Sequence, residues 1–246
     1  MKICGISDLH GCVNLDELFI KECDILCIAG DIMPLDIQRN IPESVAWIKD
    51  IFIPWAEKQP IDKIFLVAGN HDFVAYKERT FKSLFIGTKI IYLEDSGYSY
   101  ISKDGSVYNI YGTPWCSMFG NWAFMLDDEN LIKKFSNIPN DCDILITHDP
   151  PDLLKVGTIQ EGYNFGEDAG CIPLADEIIK KTPKLVICGH IHTGDHNLTY
   201  YEVNNKKIGL VNVSLLTERY YNAFKPFYAE FKKDSIKCLK NFVFGF

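Results

Sequence analysis

Five short apolar runs constrain this chain more than anything else in it. Residues 2–7, 24–29, 64–68, 143–147 and 184–188 are dominated by Ile, Leu, Val, Phe and Cys. Short continuous apolar runs closed by turn residues are the pattern of strands buried on both faces, the environment of a parallel sheet. Open α/β sheets bind their ligands beyond the carboxyl ends of the strands. The five runs end at Asp8-Leu9-His10, Gly30-Asp31, Gly69-Asn70-His71-Asp72, His148-Asp149-Pro150-Pro151 and Gly189-His190-Ile191-His192. The chain has six histidines; five stand at these ends and only His196 does not. Histidines scattered at random would rarely gather so, and this coincidence carries the functional inference.

The segments between the runs complete an alternating pattern. Helices are expected over residues 15–21, 42–57 and 74–85, with Pro42 suited to a first helical turn and Pro54 able to kink or end the second helix. The order β-α-β-α-β-α predicts a parallel sheet with crossover helices. The middle differs: short strands over 89–93, 98–102 and 106–111, the last two joined at Asp104-Gly105, a hairpin signal. An aromatic stretch over 112–124 and helices over 127–136 and 172–181 follow, the last preceded by a mixed loop over 155–170. Residues 198–203, 207–213, 226–231 and 235–241 alternate like antiparallel strands. With no repeat, low-complexity tract or flexible linker, residues 1–246 read as one α/β (α+β) domain of two mixed β-sheets with helices outside.

Charge narrows the partners. Acids outnumber bases 33 to 25, for a net charge of −8, which argues against general binding to nucleic acid or a membrane surface, both of which rest on basic patches. Small anionic substrates remain open if bound cations reverse the sign locally. The nine cysteines are irregularly spaced, several lie inside apolar runs, and none has zinc-finger spacing; they read as reduced core thiols. The chain starts directly on a strand, shows no signal-peptide core and has no apolar stretch of 18 or more residues; a cytoplasmic protein is expected.

Asp, His and Asn are ligands suited to manganese, iron, zinc or nickel. A carboxylate can bridge two ions, and Asp31 follows a glycine where backbone approaches closely. Two ions roughly 3.5–4 Å apart clamp the oxygens of a phosphoryl group during in-line displacement. Taken together, Asp8-Leu9-His10, Gly30-Asp31, Gly69-Asn70-His71-Asp72, His148 and Gly189-His190-Ile191-His192 resemble the complete signature of the calcineurin-like metallophosphoesterases in order and approximate spacing. The resemblance implies a four-layer αββα sandwich and two divalent transition-metal ions, manganese first among them. It implies that Asp8, His10 and His192 hold one ion, that Asn70, His148 and His190 hold the other, and that Asp31 bridges. His71 then faces the phosphate as a catalytic residue without binding metal, and Asp72 orients its ring.

A narrower resemblance rests on Tyr92-Leu93-Glu94-Asp95, Tyr111-Gly112-Thr113-Pro114-Trp115, Trp122-Ala123-Phe124 and Thr147-His148-Asp149-Pro150-Pro151. These are similar to the branch of brain and fetal metallophosphoesterase-domain proteins, associated with phosphodiester hydrolysis including cyclic nucleotides. The function implied is hydrolysis of small phosphodiesters or nucleotide-like phosphate esters by metal-bound hydroxide. A phosphoprotein phosphatase, a nuclease and a non-catalytic scaffold are the rival expectations. Around the site, Trp115, Phe119 and Trp122 either pack or stack on substrate, and the 155–170 loop is either a lid or a plain connection. His196 is expected either to be exposed to solvent or to support a ligand residue from behind, unless it contacts substrate, and the three arginines, Arg39, Arg79 and Arg219, are expected at the surface unless one of them clamps a phosphate.

Overall fold

The computed structural model describes residues 1–12, 14–161 and 164–239. The strands are β1 (Lys2–Ile6), β2 (Cys23–Ala29), β3 (Ile61–Val67), β4 (Ile90–Tyr92), β5 (Ser96–Ile101), β6 (Val107–Thr113), β7 (Cys116–Ser117), β8 (Met125–Leu126), β9 (Ile144–Thr147), β10 (Leu185–Cys188), β11 (Thr199–Val203), β12 (Lys206–Asn212), β13 (Phe227–Lys232) and β14 (Ser235–Cys238). The helices are α1 (Ile41–Trp47), α2 (Ile53–Lys58), α3 (Phe73–Lys77), α4 (Asp128–Phe135) and α5 (Ile172–Lys181). Two six-stranded sheets form, ordered β14-β13-β1-β2-β3-β4 and β11-β12-β10-β9-β6-β5. Each has a parallel centre, β1 to β4 in one and β6-β9-β10-β12 in the other, with antiparallel strands outside.

Alternation along the strands explains the layering, because successive side chains leave a strand on opposite faces. Ile3, Ile25, Cys27, Phe65 and Val67 from one sheet meet Ile144, Ile146, Leu185, Ile187, Val211 and Val213 from the other in one buried cluster. Their neighbours in sequence, Cys4, Ile6, Leu26, Ile28, Ile64, Leu66, Leu145, Val186 and Leu210, face outward. There they join the helix residues Ile48, Phe52, Trp55, Leu131, Phe135, Leu174 and Ile178. Two mixed sheets between helices are therefore the architecture, as expected. Among the described residues no helix is long and apolar enough to cross a membrane.

Several local expectations change. No helix forms over 15–21: the Ile20 N–H donates to Gln59 Oε1 at 2.9 Å and the Lys21 N–H to the Tyr228 hydroxyl at 3.0 Å, so tertiary partners take the donors that a helix would use. The 42–57 helix is three pieces, with a π-helical turn at Ile48–Phe52 between α1 and α2. Ile53 N–H bonds to the Ile48 carbonyl there, and the wider turn relieves the clash of the Pro54 ring with the preceding turn. The 74–85 helix breaks after Lys77, where Glu78 Oε1 accepts from both the Thr80 N–H and its hydroxyl. The rest of it is a 3₁₀ helix at Phe81–Phe85. β12, read as an antiparallel strand, pairs parallel to β10 and antiparallel only to β11. β14 ends at Cys238, and residues 240–241 of the expected last strand lie outside the described residues.

Candidate metal centre

The carboxyl ends of β1, β2, β3, β9 and β10 point the same way, and the structure brings the expected residues of all five into one buried cluster. Asp8, His10, Asp31, Asn70, Asp72, His148 and His192 are buried, His190 is nearly so, and His71 is half-buried at the edge. The backbone is bent sharply to achieve this. Asp8, His10, Asp31 and His190 all have positive φ, at 57°, 48°, 54° and 66°, a region that L-residues occupy when surrounding structure holds them there. The bends are laced together: Asp8 N–H donates to the Gly30 carbonyl and His10 N–H to the Asp31 carbonyl, each at 3.1 Å. Gly30 takes φ +97° with His148 and Gly69 packed where a Cβ would stand, so any larger residue would push the His148 ring out of the cluster.

The donor atoms form overlapping groups: Asp8, His10 and His192; His10, Asp31 and His71; Asp31, His148 and His190, with ligand atoms in each within 4.8 Å of one another. Asp31 Oδ2 lies 3.6 Å from His10 Nε2 and 3.2 Å from His148 Nε2. His148 Nδ1–H donates to the Ala29 carbonyl at 2.7 Å, which leaves the Nε2 lone pair facing Asp31 Oδ2 and, at 2.9 Å, Asn70 Oδ1. Likewise His192 Nδ1–H donates to the Thr217 carbonyl at 2.9 Å, leaving Nε2 3.5 Å from Asp8 Oδ1 and 3.3 Å from His10 Nε2. Without a proton or a metal cation between them, the lone pair of each Nε2 would face a carboxylate oxygen at both places. A ring nitrogen tied to a carbonyl is also how metal-binding histidines are held.

The titration of these groups points the same way. Burial alone would lower the His148 imidazole, but the Asp31 and Asp8 carboxylates overcome it and push it up to about 10. Burial likewise opposes, and the Asp8 hydrogen bond and charge outweigh it, in lifting His192 to about 9. His190, under burial and the charge of His148, falls to about 3. Asp8 is held well below the usual carboxylate range against its burial, by its contacts with His10 and His192. The carboxylates thus favour positive charge at His148 and His192, and the donor set fits bound metal cations.

Other residues play parts that differ from expectation. The Asp72 carboxylate accepts the backbone N–H groups of Asp31, Met33 and Gly69 at 2.8–3.0 Å. It therefore fastens the β2 and β3 loops together instead of orienting His71. Gln38 takes that place: its Oε1 lies 2.6 Å from His71 Nδ1, while Trp122 and His10 pack on the His71 ring at 4.4 and 4.8 Å. Burial lowers the His71 pKa against the pull of Asp31. A sixth strand end, beyond β12, also reaches the site. Ser214 Oγ–H donates to Asp8 Oδ2 at 2.6 Å, and Asn212 Nδ2–H groups donate to the carbonyls of Ile191 and Val156 at 2.8 and 3.1 Å. The polar alternation of Val211-Asn212-Val213-Ser214 at the end of an apolar run was the available signal. Tyr220, at φ +60°, sets its ring edge-on to both His10 and His192.

The remaining expectations divide. His196 is half-buried and supports a ligand residue, one of the two places expected for it: it stacks on Phe224 at 3.7 Å and bonds the His192 carbonyl at 2.9 Å, bracing the loop behind that residue. Trp115 is buried with its indole N–H on Asp95, whereas Phe119 is exposed beside His190. The Arg39 guanidinium lies 4.1 Å over the Phe73 ring and donates to the Asn121 carbonyl. The described part of the 155–170 loop is fastened to the β10 loop, with Asp195 N–H on the Lys155 carbonyl and Gln160 N–H on Thr193 Oγ1.

The chain is similar to known proteins. Human metallophosphoesterase domain-containing protein 1 is 27% identical over 247 residues, a match that spans 90% of this chain and 68% of that protein. One solved structure superposes with a TM-score of 0.65 at 15% identity, covering 96% of this chain and 97% of that one. The phosphopantetheinyl hydrolase of Mycobacterium tuberculosis does so with a TM-score of 0.55 at 14% identity, over 98% of this chain and 96% of its own. At such identities the superpositions speak for the fold alone. The sequence of residues 1–194, which carries every strand end of the cluster but the one beyond β12, matches the model of the calcineurin-like phosphoesterases, and the chain belongs to that family.

Proposed function

We propose that this chain hydrolyses small phosphodiesters or nucleotide-like phosphate esters at a centre of two divalent transition-metal ions, with manganese the first candidate. The observation that carries this reading is the Asp31 carboxylate, shared between the His10 side and the His148 side of the cluster at 3.6 and 3.2 Å. On this reading Asp8, His10 and His192 hold one ion, Asn70, His148 and His190 the other, and Asp31 both. Two such ions supply a nucleophile from water at neutral pH and clamp the phosphoryl oxygens. The chain's own residues do the rest. His71, its Nδ1 beside Gln38 Oε1, has a ring nitrogen within 4.8 Å of the donor atoms of His10 and Asp31, and from there the protonated ring can pass a proton to the departing alcohol oxygen. Ser214 and the His190 N–H keep the Asp8 carboxylate turned towards the histidines. Membership of the family supports a phosphoester hydrolase, and the ester class is our extension of it.

The test combines metal analysis with a panel of chromogenic mono- and diesters, cyclic nucleotides and phosphopeptides. We expect two ions per chain, diester turnover that a chelator abolishes and manganese restores, and little activity on phosphopeptides. Asp31→Asn should hold at most one ion tightly and lose turnover. Two tightly held ions and full rate in that variant would remove the shared carboxylate from the mechanism.

A further inference from the structure

The fold sorts the aromatic side chains between Tyr111 and Phe124 by environment. Trp115 and Phe124 are buried, and Trp122 packs against His71. Phe119, by contrast, is 59% exposed and its neighbour Met118 60% exposed. The Phe119 ring lies 5.4 Å from that of His190, tilted by 37°. The turn that carries it is pinned at both ends to loops of the candidate metal centre. Ser117 N–H donates to Asp149 Oδ2 at 2.8 Å, Ala123 N–H to the Asn70 carbonyl at 3.0 Å, and Cys116 N–H to the Phe124 carbonyl at 2.9 Å. Exposed apolar side chains are commonplace one at a time. Phe119 is distinguished by a fastened turn that holds it beside a candidate metal ligand while most of the side chain meets solvent.

We propose that Phe119 selects the substrate: it is a stacking platform for a flat aromatic or heteroaromatic group of the phosphate ester bound at the metal centre. The inference rests on the phosphoesterase reading above and names its substrate class. The Phe119 ring leans towards His190, and with 59% of its surface exposed it can take an offset stack, the arrangement that ring quadrupoles favour. Stacking of this kind tolerates any planar group, because every such ring offers a π-face. Met118 extends the apolar edge beside it.

The experiment measures equilibrium binding of phenylphosphonate and methylphosphonate to the manganese-loaded protein by calorimetry, in wild type, Phe119→Ala and Phe119→Trp. The two ligands share a head group and differ only in the ring. Wild type should prefer the phenyl ligand by about tenfold, within the range that stacking on an aromatic side chain supplies. Phe119→Ala should abolish that preference by weakening phenyl binding alone, and Phe119→Trp should restore it. With bis(4-nitrophenyl) phosphate the Phe119→Ala loss in kcat/KM should fall on KM. A preference absent from wild type, or intact in Phe119→Ala, overturns the inference. Turnover without the preference removes the stacking platform and leaves the phosphoesterase reading standing; the preference without turnover does the reverse.

Discussion

At the scale of residues, the division was chemical. Asp8, His10, Asp31, Asn70, His148, His190 and His192 stood out because few residue types bind metal and they clustered at strand ends. The residues that hold them in place were hidden because their types are common and their partners distant. Gln38 is 33 positions from His71, and Ser214 is 206 from Asp8. Asp72 was visible as a carboxylate, yet two of its three backbone partners, Asp31 and Met33, lie in a loop that only the fold brings to it. The role of Gln38 is testable. His71→Ala should lower kcat by about 100-fold, the low end of what general acid–base catalysis contributes, with metal content unchanged by mass spectrometry. Gln38→Ala should give a smaller loss of about tenfold, since it frees the His71 ring without removing it, and Gln38→Glu, which keeps an acceptor at Nδ1, should recover most of it. Wild-type kcat in Gln38→Ala would show that His71 needs no such support.

At the scale of elements, legibility followed how local the stabilisation is. α5 runs over the expected residues 172–181, and α4 starts where expected because Asp127 caps it, accepting the Asn130 N–H at 3.0 Å. Its acids lie in the first turn and Lys133 and Lys134 in the last, matching the helix dipole. Asp127→Ala should therefore destabilise the protein by about 1 kcal/mol, read from the urea midpoint at unchanged slope. No measurable shift would mean that the buried face, Leu131 and Phe135, holds α4 alone. Elements with non-local partners depart from what their local sequence predicts. Residues 15–21 lose their helix to Gln59 and Tyr228, and the direction of β12 is set by β10, not by its own alternation.

At the scale of the whole molecule, the two sheets are also joined by charge at the end away from the candidate metal centre. Asp143, just before β9, bonds Lys184 Nζ at 2.7 Å and the Asn109 N–H at 3.0 Å, and lies 3.4 Å from Lys233 Nζ beyond β13 of the other sheet. Burial alone would raise its pKa; the Lys184 and Asn109 hydrogen bonds and the two lysine charges outweigh that and hold it below the usual value. A carboxyl depressed by folding adds stability above its unfolded pKa of about 4 and loses it as pH falls through the folded value. Asp143→Asn should thus lower Tm near pH 7, and the gap to wild type should narrow steadily below about pH 4; a gap independent of pH would assign the effect to packing. The sequence alone determined which runs are buried strands and which side chains can bind metal, because apolar continuity and ligand type are properties of single residues and near neighbours. Tertiary structure decided which strand lies beside which, how Asp31 comes to stand between His10 and His148, and which distant side chains fix their orientation. Those are relations between residues far apart in the chain, and only the closing of two sheets on each other brings them within a hydrogen bond's length.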